Sequence, residues 1–274
     1  AFAADEALGL VYVPTGNPST DIQGTKRRPF DEKYGSAIIA LNISDGRARW
    51  SFPTTHHDLW DLDVPAQPTL VDIPGQDGVR PALLQATKRG DVLVLDRRDG
   101  TPIVPVKEIP VPTSGGMPGE AISPTQPISD INFIPPMMTE AQMWGATPID
   151  QMMCRIAFKG MRYEGPYTPP GLDTILIFPG PVGGIDRGGV SVDDDNKIMM
   201  VNTPDIPVFV QLVPREKTAN IETHPKPAHN TPYTVRIGMF MGPLYLPCLQ
   251  PPWGHFAAVD LKTSKVLWRH VIGT

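Results

Sequence analysis

The chain has 274 residues, 41% of them hydrophobic, enough for a sizeable core and too apolar for a disordered segment. A net charge of −5, with Lys26-Arg27-Arg28 as the densest basic run, excludes a nucleic-acid footprint. No apolar run approaches the roughly 20 residues of a membrane span, and 33 prolines with 25 glycines favour short strands and rigid turns over long helices.

The chain opens on AFAADEALGLVYVPTGN, which has no basic n-region and reads as mid-domain sequence. It closes on WRHVIGT, directly after a strand pattern. The expectation is a fragment, with residues 1–274 forming part of one domain.

Residues 37–50, AIIALNISDGRARW, read as a strand, a tight turn at Asp45-Gly46 and a second strand. The pattern returns at 91–104, DVLVLDRRDGTPIV, with Asp99-Gly100 in the turn, and at 256–268, FAAVDLKTSKVLW, with Thr263-Ser264 there. Each copy has a polar residue before the turn (Asn42, Asp96, Asp260) and a bulky one eight positions later (Trp50, Val104, Trp268). The copies lie 96 − 42 = 54 and 260 − 96 = 164 residues apart, so degenerate copies are expected in the second gap. A strand-rich unit recurring every roughly 40–55 residues marks an all-β fold of the β-propeller type. A β-sandwich with chance hairpins is the competing reading.

Between the first two hairpins lies 54–72, TTHHDLWDLDVPAQPTLVD. Asp58, Asp61 and Asp63 stand just before an apolar strand, beside Trp60. Acids so placed can bind a metal or act as a base, and the indole lowers local polarity and raises a carboxyl pKa. A capped, solvated loop would carry the same residues. His56 and His57 are adjacent, so they point apart on extended chain and read as loop or wall residues. Lys88, in LLQATKRGDVLVLD, sits where one strand gives way to a turn, a place where lysines are ordinarily solvated.

Residues 105–174, rich in Pro, Met and polar residues, read as long loops between blades. The glycine-rich GPVGGIDRGGVSVD, 180–193, lacks the helix context of a phosphate loop, and its glycines permit tight turns or the close approach of a flat ligand. Asn202, in IMMVNTP, ends a strand before a proline. The run 214–232, PREKTANIETHPKPAHNTP, reads as an exposed loop. Cys154 and Cys248 fit no zinc spacing; they can pair in an exported protein or remain two buried thiols.

Taken together, HHDLWDLDVPAQPTL, KRGDVLVLDRRDG, MWGATPIDQMMCRIAFKGMRYEGPYTPP and LPCLQPPWG resemble the membrane-bound, pyrroloquinoline-quinone (PQQ)-dependent glucose dehydrogenases and their quinate and polyol relatives. The resemblance covers nearly the whole chain. It implies an eight-bladed propeller with tryptophan docking, of which this chain is about the second half, lacking the N-terminal membrane helices, the first blades and the closing blade. It implies Asp61, the second acid of the His-Asp-x-Trp-Asp stretch, as catalytic base and as a ligand of Ca²⁺ or Mg²⁺. Lys88, 88 − 61 = 27 positions on, would hydrogen-bond the quinone oxygens, and Asn202 would lie near the cofactor. Where the resemblance leads one to expect a tryptophan before paired glycines, the chain has Arg187, which can pair with a carboxylate of cofactor or substrate. The remaining metal ligands and the aromatic floor under the quinone are expected in the N-terminal half.

The implied activity is oxidation of a sugar hydroxyl, glucose to gluconolactone, with electrons passed to ubiquinone at the periplasmic face of the bacterial inner membrane. Quinate, shikimate or another polyol is the alternative substrate, and a non-catalytic propeller scaffold is the alternative from another class. Asp61 with Lys88 at this spacing speaks for the enzyme.

Overall fold

The computed structural model describes residues 1–75, 78–220, 226–227 and 231–273. Strands β1 (Ala3–Asp5), β2 (Leu10–Pro14), β3 (Ala37–Asn42) and β4 (Ala48–Pro53) form an antiparallel four-stranded sheet, with helix α1 (Pro29–Tyr34) in the connection before β3. Strands β5 (Thr69–Gly75), β6 (Gly78–Ala86) and β7 (Val92–Asp96) form a second sheet, which a bridge from Leu95 to Pro102 extends by a rudimentary fourth strand. A hairpin of β8 (Val106–Pro110) and β9 (Thr125–Ser129) follows, then helix α2 (Pro148–Lys159).

Next come β10 (Ile175–Ile177), β11 (Val190–Asp193), β12 (Ile198–Pro204), β13 (Val208–Pro214), β14 (Lys226–Pro227), β15 (Tyr233–Met239), β16 (Gly254–Asp260) and β17 (Lys265–Val271). They divide into two interleaved sheets, ordered β10-β13-β15-β14 and β11-β12-β16-β17. Antiparallel sheets of this size packed face to face are the blades of a partial propeller.

The second half of β6, residues 82–86, and all of β7 are buried without alternation because both their faces are covered. Leu83, Leu93 and Leu95 pack with Leu10, Tyr12 and Ile38 of the first sheet. Leu84, Val92 and Val94 point the other way, onto Met199, Val201, Ala257 and Val259 of the last sheet. The period-two geometry of a strand thus serves two cores at once.

The three hairpins read from the sequence are present, and their turns share one backbone conformation. Gly46 (φ +68°) and Gly100 (φ +78°) take the left-handed position, and in the third copy Ser264 takes it at φ +59°. Gly100 is needed for a second reason. The Trp50 ring lies 2.7 Å from where a Cβ would stand, and its Nε1 donates to the Arg97 carbonyl at 3.3 Å. A tryptophan of one blade therefore docks on the turn of the next. Trp268 holds the equivalent place in the last sheet, packed on Phe256.

One expectation is corrected and two open readings are resolved. The 164-residue gap holds one further four-stranded sheet, β10-β13-β15-β14, without the Asp-Gly hairpin signature, together with the β8–β9 hairpin, α2 and the first strands of the last sheet. Residues 105–174 are not loops throughout, because Thr147-Pro148 starts α2, with Thr147 Oγ1 accepting from Asp150 N at 3.1 Å. Of the two readings open for the cysteines, pairing holds: Cys154 on α2 is bonded to Cys248, inside a cluster with Leu176, Phe178, Phe240 and Leu249. Of the expected loop 214–232, residues 221–225 and 228–230 lie outside the described residues. Among the described residues no helix is long and apolar enough to cross a membrane.

Candidate active site

The connection from β4 to β5 carries Asp58, Asp61 and Asp63, and the turn from β6 to β7 carries Lys88. The two segments meet. Lys88 Nζ stands 2.5 Å from Asp63 Oδ1 and 3.3 Å from Asp61 Oδ2, and donates to the Asp61 carbonyl at 3.0 Å. Its side chain is only 10% exposed, so this turn lysine is not solvated.

The Lys88 turn is rigid for identifiable reasons. Gly90 (φ +96°) closes it, with its N–H donating to the Thr87 carbonyl at 3.0 Å. Behind it, Arg89 and Asp91 form a buried bidentate pair, with Nε to Oδ1 at 3.1 Å and Nη2 to Oδ2 at 3.0 Å. Asp91 also accepts from Thr87 Oγ1 and from Ser129 N, and Arg89 Nη1 donates to the Thr54 carbonyl at the start of the acidic loop. Removing one member of such a pair costs about 3–5 kcal/mol. The glycine-rich segment backs the same turn. A Cβ on Gly184 would overlap the Lys88 carbonyl oxygen, and Ile185 N donates to the Thr87 carbonyl at 3.1 Å. The close approach that Gly184 permits is thus to backbone.

Asp61 adopts φ +58°, a left-handed conformation that few non-glycine residues hold. Burial pushes its carboxyl up to about 7; Lys88 opposes that rise, and the neighbouring Asp63 and Asp58 add to it. Burial alone would pull the Lys88 ammonium down, but Asp61 and Asp63 outweigh it and hold the pKa above its ordinary value. Beneath the loop, Trp60 is fully buried, donates from Nε1 to the Thr168 carbonyl at 2.8 Å and meets Tyr167 edge-on at 5.2 Å.

His56 and His57 go to different partners, although they sit in a turn, with His57 at φ +43°, rather than on extended chain. His56 Nε2 pairs with Glu108 at 2.9 Å. His57 Nδ1 pairs with Glu32 of α1 at 3.0 Å and its Nε2 with Glu120 at 2.9 Å. Burial lowers the His57 pKa, but the hydrogen bonds to Glu120 and Glu32 override it and bring it to about 9.

Of the residues singled out from sequence, Asp61 and Lys88 come together directly. Arg187 stands exposed in a turn of the glycine-rich segment, three residues beyond Gly184. Asn202 does not end its strand: β12 runs on to Pro204, and Asn202 lies exposed within it, opposite Phe256. Asp63, one of the three acids the sequence marks as a metal or base candidate, is the carboxylate that lies nearest the Lys88 ammonium. Glu32, Glu120 and Thr168 reach the loop from distant segments, and no local pattern announces them.

Asp61 and Asp63 face one lysine, with Asp58 buried behind them, an excess of negative charge that suits a divalent cation. The set is partial, however. Asp58 is occupied by hydrogen bonds and Asp63 by Lys88, and among the described residues no three metal-ligating side chains stand together. Among the described residues, Asp61 is the acid of the three least committed to other side chains or amides.

The stacked antiparallel sheets define the class as a β-propeller domain, here a partial one. Residues 1–274 all match the family described as PQQ: glucose/ethanol/alcohol dehydrogenase, beta-propeller domain, and the chain belongs to it. It is 46% identical over 99% of its length to quinoprotein glucose dehydrogenase A of Acinetobacter calcoaceticus. The figures are 43% over 99% for the quinoprotein glucose dehydrogenase of Escherichia coli (strain K12), and 41% over 98% for a probable quinate dehydrogenase (quinone) of Xanthomonas campestris pv. juglandis. The chain spans 36% of the length of each. The quinohemoprotein alcohol dehydrogenase from Comamonas testosteroni superposes with a TM-score of 0.59 at 20% identity, over all of this chain and 34% of that one. The propeller expectation is borne out, and the sandwich reading is set aside.

Proposed function

We propose that the protein containing this chain is a PQQ-dependent dehydrogenase oxidising a sugar hydroxyl, glucose to gluconolactone, and passing the electrons to ubiquinone at the periplasmic face of the inner membrane. The observation that carries the reading is the joining of Lys88 to Asp61 and Asp63 across two blades in a chain of this family.

PQQ bound beside Ca²⁺ or Mg²⁺ would supply the two-electron acceptor that no side chain provides. The protein's part is positional and protonic. The Asp61 carboxylate, held beside Lys88, takes the proton of the substrate hydroxyl as general base. The same carboxylate would ligate the cation. Lys88 would help hold the quinone, its ammonium supplying fixed positive charge to the bound cofactor, and Asp63 holds that ammonium in place at 2.5 Å. Arg187, exposed in the segment that backs the Lys88 turn, and Asn202, exposed on β12, are the further groups proposed to reach the cofactor.

Glucose leads as substrate because it is named for the relatives at 46% and 43% identity. Quinate or shikimate is the second reading, favoured by relatives at 41% and 39%. The deciding experiment is a dye-linked assay on the full-length protein reconstituted with PQQ and Ca²⁺ or Mg²⁺, with glucose and quinate side by side. PQQ-dependent turnover of either establishes the class, and the ratio of kcat/KM names the substrate. Absence of PQQ binding would leave a scaffold propeller as the better account.

A further inference from the structure

One acid of the site has no role in this chemistry. Asp58 is 2% exposed, and its carboxylate is fully engaged. Oδ1 accepts from Trp60 N at 2.9 Å and from Leu62 N at 3.1 Å, while Oδ2 accepts from Ser36 Oγ at 2.7 Å. The two amides are those on either side of Asp61. A single oxygen thus closes the backbone around Asp61 and turns that residue outward.

Backbone conformation points to the same carboxylate. Ser36 (φ +42°), His57 (φ +43°) and Asp61 (φ +58°), three non-glycine residues in the left-handed region, all adjoin it. Such conformations persist where the surroundings over-determine them, and they gather at functional sites. The anchor is itself anchored, because the Ser36 carbonyl accepts from Thr54 N at 2.8 Å and Thr54 Oγ1 at 2.7 Å. Thr54 in turn accepts from Arg89, the neighbour of Lys88. A buried carboxylate with no ion pair is costly, and an exposed turn would not need one.

We propose that Asp58 is a positioning residue for Asp61: its carboxylate, fixed by Ser36, grips the Trp60 and Leu62 amides and holds the Asp61 side chain against Lys88. The inference rests on the reading of Asp61 as base, and the test separates the two.

Asp58→Ala, Asp58→Asn, Ser36→Ala and Asp61→Asn are compared in the full-length, PQQ-loaded protein. The readouts are kcat per bound PQQ, KM, PQQ affinity and melting temperature. An asparagine side-chain oxygen can still accept both amides, so Asp58→Asn keeps kcat within about 5-fold, whereas Asp58→Ala lowers it by about 100-fold at little-changed KM and PQQ affinity. A near wild-type kcat in Asp58→Ala overturns the proposal. So does an Asp58→Asn variant as slow as Asp58→Ala, which would make charge rather than grip the function. If Asp58→Ala does not fold, Ser36→Ala decides: a several-fold fall in kcat at constant KM supports the proposal and an unchanged kcat overturns it. Retained turnover in Asp61→Asn would overturn the base reading itself; an inactive Asp61→Asn beside a fully active Asp58→Ala removes only the positioning role.

Discussion

His57 joins three segments: its own loop, α1 through Glu32, and the 117–122 stretch through Glu120. Its side chain is 14% exposed, and that of Glu120 is 2%. The charged groups that face it are Glu32 and Glu120, which favour the imidazolium, and Arg27, which opposes it. The folded pKa of about 9 lies above the ordinary 6.5, so the protonated form is the one the fold stabilises. That contribution is fully present below about pH 6.5 and is lost as pH rises through about 9. The gap between the two values corresponds to about 3 kcal/mol. His57→Gln cannot be protonated, so unfolding free energies of the full-length wild type and variant should differ most at pH 6. The difference should narrow by about 3 kcal/mol by pH 10. The measurement is a denaturant titration at several pH values and constant ionic strength. A wild-type-minus-variant difference that stays constant across that range would refute the clamp as an ion-paired element and leave His57 as simple packing.

Other outcomes follow from the same contacts. Asp61→Asn should fold and bind PQQ nearly normally and lose roughly 10²–10⁴-fold in kcat, as removal of a general base does; steady-state kinetics with PQQ fluorescence checks both halves. Lys88→Ala leaves the carboxylates of Asp61 and Asp63 without their shared cation. Both turnover and PQQ retention should drop, by at least about 10-fold each, and unchanged quinone affinity would make Lys88 a purely structural residue. The Cys154–Cys248 bond spans 94 residues, so its loss should cost up to about 5 kcal/mol. Reductant should therefore lower the melting temperature of the wild type but not of the Cys154→Ser/Cys248→Ser double variant.

The sequence determined the repeating element and the placing of its residues. Asp-Gly turns between apolar runs fix hairpins through local backbone preference, and runs such as VLVLD declare a strand covered on both faces. Asp61 and Lys88 were found by motif and spacing, not by any rule that brings a turn lysine to a loop acid. Tertiary structure decided the rest. It buried Lys88, turned the glycine-rich segment into a support for the Lys88 turn, and paired the cysteines. It also gave Asp58 a hydroxyl 22 residues away, His57 a carboxylate 63 residues away and Trp60 a carbonyl 108 residues away. Periodicity and turn chemistry act over a few residues and are legible in the chain. A hydrogen bond closed across blades depends on which sheets stack and in what register, and that is set by the packing of whole faces rather than by the residues on either side of the donor.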